Sequence, residues 1–142
     1  MILIDVNVLL YAHREELPDH QAYRDWLTAT VNGDAAYGMS DLVLSSFVRI
    51  ITNPKIFRPP TPRVQAIDAA NALRGQPTCV PVRPGLMHWD LFVRLCRETG
   101  AKGGLVTDAY LAALAIESGA EWITTDRDFS RFPGLRWRHP LS

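Results

Sequence analysis

The sequence has little cysteine, no long apolar run and no net charge, and each absence excludes a class of protein. Cys79 and Cys96 are too few for a disulfide framework, and their neighbours do not form a zinc-ligand motif. Asp5 interrupts the N-terminal apolar residues too early for a signal peptide, and no segment is apolar enough to span a bilayer. The formal net charge of zero provides no overall field toward nucleic acid. We therefore expect a soluble cytoplasmic protein with free thiols.

The residues that are present favour a layered α/β fold. Of 142 residues, 47% are hydrophobic, which suits one domain spanning residues 1–142. Short apolar segments alternate with stretches of helical periodicity, a pattern typical of a mostly parallel sheet with helices on both faces, so we predict a three-layer α/β/α fold. The predicted strands are Met1–Ile4, Cys79–Val82, Leu105–Thr107, Glu121–Thr124 and an edge strand at Leu135–Arg138. Helices are predicted within 7–12, after Pro18-Asp19, from Ser40 or Asp41, and over Arg63–Leu73, His88–Arg97 and Asp108–Glu117.

Four aspartates at or just beyond predicted strand ends are the strongest functional signal. Asp5 follows the first strand, Asp108 the third, and Asp126 and Asp128 the fourth. Because the carboxyl ends of parallel strands converge on one crevice, we expect these carboxylates to meet there. Crowded carboxylates repel one another unless a cation lies between them, and hard oxygen ligands select Mg²⁺ or Mn²⁺. The pattern therefore predicts a divalent-metal site.

Each aspartate also has an ordinary structural explanation. Asp5 ends a strand, and aspartate is common in turns. Asp108 falls in the first turn of a predicted helix capped by Thr107, where the helix dipole stabilises a carboxylate by about 0.3–1 kcal/mol. In an extended chain Asp126 and Asp128 project the same way and both reach one ion; alternatively, Asp128 caps the next turn. We take Asp126 as the nearer ligand and leave the role of Asp128 open.

A divalent ion in such a site makes phosphodiester hydrolysis the natural reaction, because it activates a water and stabilises a charged transition state. The sequence offers no competing nucleophile: it has no Gly-x-Ser-x-Gly elbow, and neither cysteine lies in a catalytic signature. The segment Gly100–Gly104 lacks the Gly-Lys-Ser/Thr ending of a P-loop. A phosphatase with an aspartyl nucleophile is a weaker alternative, since Asn7 stands where its second acid is needed.

Four segments, in order along nearly the whole chain, resemble PIN-domain ribonucleases and specifically the VapC toxins of bacterial toxin–antitoxin pairs. They are Ile4–Ala12, Leu44–Ile50 with Asn53–Phe57, Thr107–Ala115 and Thr124–Phe129. The resemblance implies a parallel sheet flanked by helices and an endoribonuclease that uses Mg²⁺ or Mn²⁺ and a metal-activated water. It also implies a homodimer, and inhibition by a small VapB-type antitoxin that inserts a C-terminal segment near the active site.

The same resemblance implies roles for individual residues. Asp5 and Asp108 would be metal ligands, Asp126 would complete the cluster with Asp128 beside it, and Asn7 would orient the site by hydrogen bonding. The chain departs from the family pattern on the third helix, where many PIN domains have a glutamate and this chain has Ser46. Two interpretations are open: low metal affinity, completed by RNA phosphate, or a domain with little or no nuclease activity that binds RNA or antitoxin.

Two groups of basic residues have open roles. Ser45, Ser46 and Arg49 are expected to share a helix face, on which Arg49 either contacts phosphate or pairs with an aspartate. A late cluster consists of Arg127, Arg131, Arg136 and Arg138. These arginines either line an RNA groove or form an ordinary solvated surface. Trp137 lies between two of them and either stacks on a base or covers a sheet edge, and the edge is the preferred interpretation.

Overall fold

The sheet of this protein has five strands in the order β3-β2-β1-β4-β5, in a computed structural model that describes all 142 residues. The strands are β1 Ile2–Ile4, β2 Tyr37–Met39, β3 Cys79–Pro81, β4 Glu121–Ile123 and β5 Trp137–Arg138. Every neighbouring pair is parallel. All carboxyl ends therefore lie along one edge of the sheet, and the predicted parallel α/β/α architecture is confirmed.

Six α-helices flank the sheet. They are α1 Val6–His13, α2 His20–Val31, α3 Asp41–Ile51, α4 Arg63–Arg74, α5 His88–Thr99 and α6 Gly104–Ser118, and a 3₁₀ helix spans Arg127–Arg131. Helix α1 packs against α2 and α3, α3 packs against α4, and α5 packs against α6. None of them has the length and apolar content that crossing a membrane requires. Both cysteines are free and partly buried.

Helix ends follow the expected capping chemistry. The Ser40 hydroxyl accepts a hydrogen bond from the Leu42 amide at 3.2 Å, which makes Ser40 rather than Asp41 the N-cap of α3. Helix α6 ends at Gly119, whose φ of 72° is the left-handed conformation that glycine adopts at low cost.

The core centres on β1, β4 and α6, where Leu3, Trp122 and Ile123 are fully buried.

The sequence prediction was wrong about the segment before Asp108. Leu105–Thr107 is not a strand but part of the first turns of α6, which begins at Gly104 after the N-cap Gly103. The reason is continuity: the apolar segment runs directly into an alanine-rich stretch of high helix propensity, and a helix adds one hydrogen bond for each residue it fixes. The strand that the sequence analysis missed is β2.

Strand β2 escaped prediction because it is only three residues long and contains Gly38. Glycine weakens the strand pattern, yet packing requires it here. A Cβ on Gly38 would lie 2.9 Å from a methyl of Val82 and 3.1 Å from the carbonyl oxygen of Ile2. Glycine in a strand interior marks such a close approach between neighbours.

Candidate active site

A cavity of about 180 Å³ opens beside the residues that follow β1 and β4 at the carboxyl edge of the sheet. Its polar lining side chains are Asp5, Asn7, Ser46, Arg49, Thr107, Asp108 and Asp126. The three carboxylates come from three separate segments: the start of α1, the interior of α6, and the turn after β4. The fold therefore brings the three sequence-predicted metal ligands to one cavity.

Asp5 is the most firmly held of the three. It is buried, its Oδ1 accepts a hydrogen bond from the Val6 amide at 2.7 Å, and its Oδ2 accepts one from the Thr124 hydroxyl at 2.7 Å. Burial raises the pKa of Asp5 to about 6 against the opposing effect of these two hydrogen bonds, and the neighbouring carboxylates of Asp108 and Asp126 raise it further. Asp5 is thus both the N-cap of α1 and a carboxylate of raised pKa that lines the cavity.

Asp108 has no structural partner that explains its presence. It accepts no hydrogen bond and makes no ion pair. The capping explanation is wrong, because Gly103 is the N-cap and no acidic residue lies in the first turn of α6, to which the dipole effect is confined. Burial, followed by repulsion from Asp126 and Asp128, raises the pKa of Asp108 to about 6. Its half-buried carboxylate therefore faces other acids without compensation.

Asp126 and Asp128 are not equivalent. Asp126 lines the cavity and caps the 3₁₀ helix, since its Oδ1 accepts a hydrogen bond from the Asp128 amide at 2.9 Å. Asp128 is exposed and does not line the cavity. The two residues do not belong to one extended segment, because the chain turns into the 3₁₀ helix at Arg127, and the cap is Asp126 rather than Asp128. Asp128 acts on the site through its charge, which raises the pKa of Asp108.

Helix α3 provides the neutral and basic side of the cavity. Ser46 and Arg49 line it one turn apart, whereas Ser45 lines a separate groove and donates a hydrogen bond to the Leu42 carbonyl at 3.0 Å. The three residues lie on one helix, as expected, but only Ser46 and Arg49 reach this cavity. Arg49 is exposed and forms no ion pair, so the alternative of a salt bridge to an aspartate is not found. Asn7 lines the cavity from α1.

Thr124 is the residue at this site that the sequence analysis missed. It is fully buried, its hydroxyl donates to Asp5, and the same oxygen accepts a hydrogen bond from the Asp126 amide at 3.0 Å. The available signal was its position as the last residue of the predicted strand Glu121–Thr124, two residues before Asp126. A threonine in a strand carries no distinguishing mark, because β-branched residues are common there.

The donor chemistry of the cavity fits a hard divalent cation. Its titratable ligands are carboxylates, which suit Mg²⁺ or Mn²⁺, and two of them have raised pKa values that a nearby positive charge would lower. No three His, Cys, Asp or Glu side chains lie close enough together to hold one ion. Mg²⁺ is commonly held by one or two carboxylates plus substrate phosphate and water.

Comparison with known proteins identifies the family of this chain. The family model described as PIN domain matches residues 2–135, and the chain belongs to the PIN-domain family. Its full-length relatives are of the VapC type. Ribonuclease VapC43 of Mycobacterium tuberculosis is 45% identical over 141 residues, covering 99% of this chain and 96% of that protein. Ribonuclease VapC25 of the same species is 41% identical over 140 residues, covering 99% of each.

Solved structures share the fold at low sequence identity. VapBC2 from Rickettsia felis, bound to a DNA fragment from its promoter, aligns with a TM-score of 0.69 at 18% identity over 98% of both chains. VapC20 of Mycobacterium tuberculosis, described as a toxin that cleaves the sarcin–ricin loop, aligns with a TM-score of 0.64 at 18% identity over 96% of this chain and 99% of that chain. The family model and the full-length relatives confirm the resemblance to VapC-type PIN domains, and the solved structures confirm the fold.

Proposed function

We propose that this protein is the toxin of a toxin–antitoxin pair, an endoribonuclease that hydrolyses RNA phosphodiesters with the help of Mg²⁺ or Mn²⁺. The observation that carries the proposal is the convergence of Asp5, Asp108 and Asp126 on one cavity, with the pKa values of the first two raised by burial and mutual repulsion. The names of the full-length relatives, VapC43 and VapC25, support ribonuclease activity.

The residues of the cavity divide into two roles. Asp5, Asp108 and Asp126 would hold the cation, which when bound activates a water for attack and neutralises charge on the phosphate. Asp5 is oriented by Val6 and Thr124, while Asp108 accepts no hydrogen bond and is free to rotate toward a ligand. Arg49 makes no ion pair and is available for a charge-assisted contact to a substrate phosphate. Asn7 and Asp128 remain supporting residues in this proposal.

The partner of the toxin would be a VapB-type antitoxin. Solved structures of the same fold include VapBC-1 from nontypeable Haemophilus influenzae and a DNA-bound VapBC from Salmonella typhimurium, which supports this pairing. The homodimer and the cytoplasmic location that the sequence analysis expects stay predictions. A direct test of the dimer is the mass of the purified protein in solution by light scattering.

The activity is tested by incubating purified protein with structured RNA in Mg²⁺, in Mn²⁺ and in EDTA. Cleavage that EDTA abolishes and that Asp108→Asn lacks supports the proposal. The alternative, a PIN domain that binds RNA or antitoxin without cutting, is motivated by Ser46, which lines the cavity where many PIN domains have a glutamate. RNA binding by the wild-type protein, with no cleavage in either metal, would favour that alternative.

A further inference from the structure

A second and larger cavity, of about 780 Å³, lies between the start of α2, the 3₁₀ helix and the C-terminal segment. We refer to it as the C-terminal cavity. The lining residues that matter here are Asp19, Tyr23, Arg127, Trp137, Arg138 and His139. None of them lines the carboxylate cavity described above. The prediction that Trp137 lies in an edge strand is confirmed, and its side chain also forms part of this cavity.

The C-terminal cavity is lined by residues of β5 and of the turn after β4, and Asp126 of that same turn lines the carboxylate cavity. Strands β4 and β5 are parallel, and the Thr124 amide donates a 3.1 Å hydrogen bond to the Arg138 carbonyl. His139 therefore follows β5 at the level of Thr124, whose hydroxyl holds Asp5. Arg127 also lines the cavity, and it directly follows Asp126 along the chain. The turn after β4 therefore contributes adjacent residues to the two cavities, Asp126 to one and Arg127 to the other.

Aromatic side chains form a firmly packed wall of the cavity. The Tyr23 ring stacks on Tyr11 with a centroid distance of 4.8 Å, and the Tyr23 hydroxyl lies 3.3 Å from His139 Nε2. Burial raises the pKa of the Tyr23 hydroxyl. Trp137 is only partly buried, so part of its indole faces the cavity. Flat aromatic surfaces of this kind bind the faces of unpaired bases.

The two arginines of the cavity differ in whether a carboxylate already pairs with them. Arg138 pairs with Glu121 at 2.8 Å, so its charge is already compensated. Arg127 is exposed and makes neither a hydrogen bond nor an ion pair through its side chain, which leaves its guanidinium available for phosphate. The one acidic side chain in the lining, Asp19, repels phosphate and only accepts hydrogen bonds, so it suits the donor edge of a base.

We propose that the C-terminal cavity binds an unpaired nucleotide of the RNA substrate that flanks the phosphodiester to be cut. Its base lies on the aromatic wall that includes Trp137, and its phosphate pairs with Arg127. This inference rests on the proposed function and adds a substrate-binding subsite to it. An aromatic platform beside a free arginine is the combination by which proteins bind single-stranded nucleic acid.

Binding is measured by fluorescence anisotropy in EDTA, with a labelled single-stranded RNA oligonucleotide and a duplex RNA of the same sequence. Trp137→Ala should weaken single-strand binding by about 5- to 150-fold, the range for loss of a base–aromatic stack. Arg127→Gln should reduce the slope of log affinity against log salt concentration by roughly 0.7, the value for one phosphate contact on a single strand. Duplex binding should not respond to Trp137→Ala, because paired bases are not free to stack.

Matched controls come from the same chain. Arg131→Gln removes an exposed arginine of the same 3₁₀ helix that does not line the cavity, and Trp89→Ala removes a tryptophan that is 65% exposed on α5. Both should bind RNA within about twofold of wild type. Trp137→Phe should retain most of the affinity that Trp137→Ala loses, which separates stacking from a fold defect. Thermal melts by circular dichroism check that each variant is folded.

The outcomes separate this inference from the proposed function. Unchanged affinity and salt slope in both cavity variants would overturn the subsite, even if the wild-type protein cleaves RNA normally. An equal loss of affinity in the cavity and control variants, or no single-strand binding by wild type in EDTA, would also overturn it. The binding assay in EDTA does not require cleavage, so a failure of the proposed nuclease activity is detected separately, in the assay with Mg²⁺ or Mn²⁺.

Discussion

The hydroxyl of Thr124 donates a 2.7 Å hydrogen bond to the Oδ2 of Asp5, across 119 positions of sequence. Both residues are buried, one just after β4 and the other just after β1. The same hydroxyl oxygen accepts the amide proton of Asp126. A single threonine therefore connects two of the three segments that supply carboxylates to the cavity, and it opposes the effect of burial on the pKa of Asp5.

Replacement of Thr124 by valine should damage both stability and activity. Thr124→Val leaves the Asp126 amide without its partner and Asp5 with one donor fewer, and a buried polar group without a partner costs about 1–3 kcal/mol. The pKa of Asp5 should rise further, because the lost hydrogen bond lowers it. The free energy of unfolding from urea titration and the rate of RNA cleavage measure the two effects. Thr124→Ser, which keeps the hydroxyl, should stay close to wild type; equal stability of the valine and serine variants would contradict this account.

Loss of a single cavity carboxylate should abolish RNA cleavage. Asp5→Asn and Asp108→Asn keep the size of each side chain but remove its charge, so we expect the cleavage rate to fall by at least about 100-fold, as when a group that stabilises transition-state charge is lost. Expression of either variant without antitoxin should no longer arrest growth, as scored by colony counts after induction. Asp68→Asn, which alters an exposed carboxylate of α4 outside the cavity, is the matched control and should remain toxic. Full toxicity of the Asp108 variant would refute its assigned role.

Asp108 should make the metal-free protein less stable as pH rises. Its pKa in the folded protein is about 6, above its ordinary value of 3.8, so the folded state favours the protonated form. That stabilisation is complete below the ordinary value and is lost as pH rises through the folded value. In EDTA, Asp108→Asn should therefore match wild type near about pH 4 and become the more stable of the two by about pH 7. Urea titrations at several pH values give the difference, and a constant difference across this range would show that Asp108 is not destabilised by its neighbours.

Ser46→Glu should lower the Mg²⁺ concentration that RNA cleavage requires. Ser46 lines the same cavity as the aspartates, at the position where many PIN domains have a glutamate, so a carboxylate here adds an oxygen donor. We expect half-maximal cleavage at a lower Mg²⁺ concentration, together with a lower melting temperature in EDTA caused by added repulsion. Ser45→Glu is the matched control, because Ser45 is the adjacent residue and lines a separate groove. The same Mg²⁺ requirement in wild type and in the Ser46 variant would show that this position does not contact the metal.

The sequence predicted that the carboxylates of Asp5, Asp108 and Asp126 converge, but it did not predict all the elements that carry them. Asp5 was identifiable because it ends an apolar strand, and Asp126 because it follows another. Asp108 was assigned to the correct cavity through an incorrect element, since Leu105–Thr107 is helical and Asp108 reaches the cavity from within α6. A short apolar segment does not distinguish a strand from the start of a buried helix.

Other features depend on contacts that a single sequence does not encode locally. Strand β2 forms because β1 and β3 lie on either side of it, and Gly38 is required there by its neighbours Ile2 and Val82. The role of Thr124 likewise appears only when β1 and β4 are adjacent. The separation of Asp126 from Asp128 arises from a 3₁₀ turn that the spacing of the two residues does not indicate.

The most direct test of the account is calorimetric titration of Mn²⁺ into the protein in the presence of a non-hydrolysable RNA analogue, in which carbon replaces the bridging oxygen that would leave from phosphorus. The account predicts saturable binding to wild type. Asp5→Asn, Asp108→Asn and Asp126→Asn should each lose more than about tenfold in affinity, a cost that even an outer-shell partner of a metal can reach. Asp68→Asn should bind as wild type does. Absence of Mn²⁺ binding by wild type would contradict the claim that these carboxylates share a cation. Mn²⁺ affinity equal to that of wild type in all three cavity variants would contradict it as well.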